Sequence, residues 1–165
     1  MRAHAAAREA IKAICPEVKV GLTLSLHDLQ AQPGGEAFAA AAWRKSSPTI
    51  FLILRRMTSS ACRTTHARCT VRRGSCPPRS AELTQMDYEF YPQALENVIR
   101  KVAADFKGDL IVTENGIATA DDTRRVAFIE AALAGVQHCI ADGIPVKGYF
   151  HWSLMDNFEW QKAMP

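Results

Sequence analysis

The sequence predicts an α/β fold built on a parallel sheet, and three observations carry that prediction. Leu110, Ile111 and Val112 form a short apolar run closed by the turn signal Asn115-Gly116, the pattern of a fully buried parallel strand. Downstream, Val126, Ile129, Leu133, Val136 and Ile140 recur at steps of three and four, the stripe of a helix. Lys147 to Ser153 then reads as a second strand, and strand-helix-strand alternation implies a crossover between parallel neighbours.

The remaining elements follow in chain order. Residues 2 to 14 are Ala-rich, with Ala7, Ala10, Ile11 and Ile14 at helical spacing, and Pro16 ends the helix. Val18 to Leu26 alternates apolar and polar residues as a strand does. Gln32-Pro33-Gly34-Gly35 is a turn, and Glu36 to Trp43 begins another helix. From about Arg44 to Ser80 the pattern fails: an isolated apolar run, Ile50 to Leu54, precedes a stretch of Arg, Ser, Thr and Cys with neither period. Regular structure resumes at Ala81. Pro92 sits where a first helical position should be, Leu95, Val98, Ile99, Val102 and Phe106 form one apolar face, and Gly108 closes that helix. Asp121 and Asp122 precede the next helix, Gly143 stops it and Pro145 guards the stop. His138 and Cys139 on that helix read as packing or surface residues, since no partner spacing accompanies them.

With 165 residues and 48% hydrophobic content the chain can bury a single-domain core. No apolar run approaches membrane-spanning length, and Met1-Arg2-Ala3-His4 leads into the Ala-rich helix rather than a signal peptide, so a cytoplasmic location is expected and no membrane partner. Five cysteines, an odd number at positions 15, 62, 69, 76 and 139, argue against a disulfide scaffold. The net charge of +3 conceals an asymmetry. Arg44 to Arg79 hold nine Lys or Arg and no acid, which leaves a balance of −6 for the rest.

Three readings of residues 44 to 80 compete. Cys62, His66, Cys69 and Cys76 lie close together, but their spacings lack the close Cys pairs of structural zinc sites. The unopposed positive charge would suit a nucleic-acid-binding interaction segment, yet no recognition motif or interleaved aromatics accompany it. The third reading, which the composition favours, is translation in a shifted frame, and it predicts disorder or makeshift structure.

The chemistry concentrates in two stretches. Glu114 ends the strand of Leu110 to Val112, and an ionised Glu at the carboxyl end of a buried parallel strand is a site candidate. A helix N-cap or a salt-bridged surface Glu is the plainer alternative. The second stretch, Gly148 to Trp160, packs five aromatics and three polar acceptors into thirteen residues. That mixture suits a sugar, whose C–H faces lie on indoles while its hydroxyls need fixed acceptors. An ordinary aromatic strand end remains the alternative.

Thr113-Glu114-Asn115-Gly116, followed after about thirty residues by Gly-Tyr-x-x-Trp-Ser-Leu-x-Asp-Asn-Phe-Glu-Trp, resembles the family 1 glycoside hydrolases, the β-glucosidases and their relatives. The resemblance implies a (β/α)8 barrel, here partial: residues 1–43 as the helix 4 and strand 5 region, an aberrant 44–80, and 81–165 as helix 6 to strand 8. A whole barrel of this kind needs about 250 residues. By the same resemblance Glu114 is the nucleophile, and Trp152, Glu159 and Trp160 hold the non-reducing-end sugar, with no cofactor or metal. The family's Asn-Glu-Pro acid/base motif belongs to strand 4, and no Asn-Glu-Pro occurs in this sequence. Glu159 would repel a phosphate, which favours an unphosphorylated β-glucoside. After Trp160 the residues Gln161 to Pro165 depart from the family pattern. A half barrel exposes the outer edges of strands 5 and 8, so self-association is expected.

Overall fold

The computed structural model describes residues 2–31, 34–43, 59–71, 74–75, 81–156 and 158, with the backbone alone for Arg2, 59–71 and 74–75. In chain order the elements are α1 (Arg2–Ile14), β1 (Thr23–Ala31), α2 (residues 36–43), β2 (Ser59–Val71), β3 (Gly74–Ser75), α3 (Ala94–Asp105), β4 (Asp109–Asn115), α4 (Asp122–Ala141) and β5 (Val146–His151). The main sheet has the order β1-β2-β4-β5, every neighbouring pair is parallel, and β3 forms a short antiparallel pair with the end of β2.

Strands laid side by side in sequence order, each joined to the next through a helix, make a singly wound sheet, the local pattern of a barrel wall. α3 and α4 lie together on one face, where α3 touches β1, β2 and α4 while α4 also touches β5. Between helices and sheet sits the core. Leu95, Val98, Ile99 and Val102 of α3, and Phe106 directly after it, are buried as their spacing predicts, against Leu110 and Val112 of β4. Asp121 caps α4, its carboxylate accepting from the Thr123 amide at 2.8 Å, and Gly143 follows that helix with a φ of 82°.

Three expectations need correction. The first strand runs over Thr23–Ala31 rather than Val18 to Leu26. Pairing sets its extent: β2 takes up β1 from Thr23 opposite Ala61 to Ala31 opposite Thr70, through an irregularity at Leu26/Asp28, so polar residues continue the strand, and among the described residues no ladder includes Val18 to Leu22. Pro92 lies in the turn two residues before α3, which starts at Ala94.

The third concerns α4, whose expected stripe is not its buried face. Val126, Leu133 and Ile140 are exposed, and the buried residues are Phe128, Ala132, Gly135, Val136 and Cys139. Small side chains decide this orientation because they let α3 come close. A Cβ on Gly135 would stand 2.9 Å from the Cβ of Glu96, and the Cys139 thiol, its pKa raised by burial, lies against the Glu96 carbonyl. Phe128 meets Phe90 edge-on, with centroids 5.7 Å apart. Cys139 is thus a packing residue, and His138 lies exposed beside the Glu96 carboxylate at 3.3 Å.

Part of the aperiodic segment 44–80 has its backbone in β2 and β3, and β2 lies between β1 and β4. Residues 44–58, 72–73 and 76–80 lie outside the described residues, as do the side chains of Cys62, His66, Cys69 and Cys76.

Candidate active site

The strand that carries Glu114 changes face just before it. On β4, Leu110 and Val112 point into the core beneath the helices, while Ile111 faces the opposite side of the sheet with Gly148 and Phe150. Strict alternation would return Glu114 to the core side with Leu110 and Val112. The ladders show that it does not. On one flank the consecutive residues Cys62 and Arg63 pair with Val112 and Glu114, and on the other Tyr149 and His151 pair with Val112 and Asn115. Thr113 is therefore an extra residue relative to both neighbours, a bulge that re-aims the side chains after it. Glu114 then takes the face opposite the helices, and Asn115 takes the core face, where it is 2% exposed.

Asn115 is the residue that ties β4 to β5. Its backbone carbonyl accepts the Trp152 amide at 2.9 Å, and its side-chain Oδ1 accepts the Tyr149 hydroxyl at 3.1 Å. Burial pushes the Tyr149 phenol up to about 12, so it donates at any ordinary pH. Gly116 completes the junction by having no side chain. A Cβ there would lie 1.9 Å from the Trp152 carbonyl oxygen, so no other residue fits without moving the chain. His151, on the core face beside Asn115, is held below the ordinary imidazole value, first by burial and then by the charge of Arg125.

Among the described residues, the face that Glu114 joins also carries Ile111 and Gly148. Phe150 and Trp152 alternate onto it from β5 and its extension, 61% and 53% exposed, and the bond between Trp152 and Ser153 is a cis peptide. Glu114 stands one residue from the carboxyl end of β4, whose last residue is Asn115, and Trp152 directly follows β5 in the neighbouring position. The fold thus brings Glu114 and Trp152 together on adjacent strand ends. Glu159 and Trp160 lie outside the described residues.

The loop before α3 carries a carboxyl group of its own, Glu89. Glu89 lines a small cleft with Thr84, Tyr88, Tyr91, Gly116 and Ile117. Its pKa is raised, first by burial and then by the charge of Asp28. Asp28 is itself buried on β1, where Asn97 donates to it at 2.8 Å and Lys101 forms an ion pair with it. Among the described residues no group of three or more His, Cys, Asp or Glu is placed to hold a metal ion.

Comparison with known proteins decides the family. The model of glycosyl hydrolase family 1 matches residues 51–165. The chain belongs to that family. It is 35% identical over 95 residues to the 1,4-beta-D-glucan glucohydrolase of Thermotoga neapolitana, covering 52% of this chain and 22% of the relative. Against a 6-phospho-beta-galactosidase of Streptococcus equi subsp. zooepidemicus it is 39% identical over 90 residues, covering 48% of this chain and 19% of that one. Among solved structures, a beta-glycosidase, BGL167, superposes with a TM-score of 0.91 at 42% identity, over 98% of this chain and 39% of the other. The family 1 β-glucosidase of Thermotoga maritima shares the fold, with a TM-score of 0.83 at 22% identity over 98% of this chain and 47% of that one. The chain thus spans about a fifth of the curated relatives it matches. Its sheet is an unclosed arc of the family's (β/α)8 barrel, with β1, β2, β4 and β5 in the places of strands 5 to 8. The matched interval includes residues 51–80, within the segment that the sequence leaves without a period.

The sequence singled out Glu114 and Trp152 but read Asn115-Gly116 only as a turn. The signal for more was present in the polar Asn115 directly after a buried run, with Tyr149 at the matching depth of the next strand.

Proposed function

We propose that this chain carries the nucleophile side of a retaining β-glucosidase site, with Glu114 as the attacking carboxylate. What supports the proposal is the register of β4, in which Thr113 is extra against both neighbouring strands, so that Glu114 leaves the core face at a strand end adjacent to the one that Trp152 follows. In such a reaction the carboxylate attacks the anomeric carbon, the bond to the aglycone oxygen breaks with its electron pair leaving on that oxygen, and water later hydrolyses the glycosyl ester. Trp152 supplies a ring for the sugar's C–H face, and Glu159 and Trp160 complete the grip on its hydroxyls.

Retaining chemistry also needs a carboxylic acid about 5 to 5.5 Å from the nucleophile, to protonate the leaving oxygen and then activate water. This sequence has no Asn-Glu-Pro to supply it. Absence of general acid catalysis lowers rates by about 10²- to 10⁴-fold, so the chain by itself turns over ordinary β-glucosides negligibly. Leaving groups that depart as stable anions need no proton and react slowly at Glu114. Although relatives include both β-glucosidases and a 6-phospho-beta-galactosidase, the substrate proposed is an unphosphorylated β-glucoside, because the carboxylate of Glu159 repels a sugar phosphate.

The test compares a dinitrophenyl β-glucoside with cellobiose. The purified chain should release dinitrophenolate slowly, leave cellobiose intact, and lose the slow reaction in Glu114→Gln. A Glu114→Gln variant as active as the parent would remove Glu114 from the chemistry.

A further inference from the structure

We propose that Tyr149 is a positioning residue for Glu114: its hydroxyl holds the Asn115 side chain on the core face and so keeps the carboxylate of the preceding residue turned to the opposite face. The inference rests on Glu114 as the nucleophile and adds to it the residue that fixes where that nucleophile points.

Two registers compete at the end of β4. Val112 opposes Tyr149, so a regular ladder would next set Glu114 opposite His151 and on the core side, with Asn115 facing the other way. In the register observed, Asn115 opposes His151 and Thr113 is extra, which exchanges the faces of Glu114 and Asn115. Backbone pairing does little to choose between them. Among the described residues one pair on each flank lies beyond the bulge, Arg63 with Glu114 and His151 with Asn115.

Tyr149 separates the two registers. It stands opposite Val112, before the extra residue, and its hydroxyl donates to Asn115 Oδ1, after the extra residue, at 3.1 Å, so the bond spans the bulge. A regular ladder would carry the Asn115 side chain to the other face, away from that hydroxyl. The bond is also shielded from water, since Asn115 is buried and Tyr149 packs against the core cluster. A buried amide and a buried phenol each cost free energy unless hydrogen-bonded, and this bond satisfies both.

The second tie at Asn115 is of a different kind. The Trp152 amide donates to the Asn115 carbonyl at 2.9 Å through the backbone, without Tyr149. Loss of the Tyr149 hydroxyl therefore loosens the aim of Glu114 while Trp152 keeps its place, and the two effects separate in kinetics as limiting rate against half-saturation.

The test is Tyr149→Phe, which removes one oxygen and keeps the ring in the core, with Ile99→Val on α3 as a control of similar stability loss. A 2-deoxy-2-fluoro β-glucoside with a dinitrophenyl leaving group, varied in concentration, should label Glu114 of Tyr149→Phe with a limiting rate at least about tenfold below the parent's and the same half-saturating concentration. Both constants should stay at the parent's values in Ile99→Val. An unchanged limiting rate in Tyr149→Phe, or an equal loss in the two variants, would overturn the proposal. A second readout needs no chemistry at Glu114. In chain labelled with carbon-13 at the Glu carboxyls, the Glu114 resonance, assigned by its loss in Glu114→Gln, should move in Tyr149→Phe and hold still in Ile99→Val. If the parent takes no label on Glu114, the nucleophile reading falls and this resonance decides the role of Tyr149 alone: a Glu114 signal that ignores Tyr149→Phe would overturn it.

Discussion

Gly116→Ala tests whether the junction between β4 and β5 holds Glu114 and Trp152 in register. The added Cβ would stand 1.9 Å from the Trp152 carbonyl oxygen and 2.9 Å from its carbonyl carbon, both backbone atoms that no rotamer change can clear. Ordinary contact begins near 3.5 Å, so the two strands must separate by roughly 1.5 Å. The bond from the Trp152 amide to the Asn115 carbonyl, 2.9 Å long, does not survive such a shift. Overpacking costs about 1–3 kcal/mol and the lost hydrogen bond about 0.5–1.5 kcal/mol, for an expected loss of about 2–4 kcal/mol. The control is Gly148→Ala, whose Cβ would meet Ile111 and Phe150 at ordinary distances of 3.5 and 3.7 Å. That change should be neutral or stabilise by about 0.4–1 kcal/mol through the unfolded chain. Urea unfolding followed by tryptophan fluorescence measures both variants. Because a misplacement near 1 Å costs on the order of 10² in rate, the slow release of dinitrophenolate should also collapse in Gly116→Ala and persist in Gly148→Ala. Equal stability of the two variants would refute the packing argument at this junction.

Other outcomes stem from the buried charges. Glu89 has a folded-state pKa above its ordinary 4.5, so its protonated form is the favoured one in the fold. Its contribution is full below pH 4.5 and is lost as pH rises through the raised value, so Glu89→Gln should gain stability relative to the parent toward neutral pH and match it in acid, as read from urea midpoints across pH. Lys101→Met leaves the carboxylate of Asp28, 2% exposed, with Asn97 but without its cation. The cost expected is about 1–3 kcal/mol, below that of a fully buried pair because Lys101 is partly exposed, and adding Asp28→Asn should recover part of it in the same unfolding assay.

How much of this was legible in the sequence differs from element to element. The α3 face from Leu95 to Phe106 was readable because the helix has apolar residues on one side alone. On α4 large apolar residues occupy two sides, and periodicity cannot say that the side with Ala132, Gly135 and Cys139 wins by admitting close approach of α3. β1 was placed early because alternation reports side-chain burial, whereas the ladder to β2 reports backbone pairing, and here the two do not coincide. Glu114 is a candidate from residue chemistry at a strand end, whereas Trp152 is singled out within its aromatic stretch by the family resemblance. The bulge that aims Glu114 was invisible, since Thr113 differs in no local property from a regular strand residue and becomes extra only against the registers of β2 and β5. Asn115 and Tyr149 meet through pairing of separate strands, which single-strand patterns do not encode.

The central claim is that Glu114 is a nucleophile facing a sugar site, and covalent trapping tests it most directly. A 2-deoxy-2-fluoro β-glucoside with a dinitrophenyl leaving group needs a carboxylate and a glucose pocket but no acid catalyst, and it stalls as the glycosyl ester. Mass spectrometry of the treated, digested chain should find the fluoroglucosyl group on the peptide that contains Glu114, and none after Glu114→Gln. Label on another carboxylate, or efficient hydrolysis of cellobiose by the same preparation, would contradict the account.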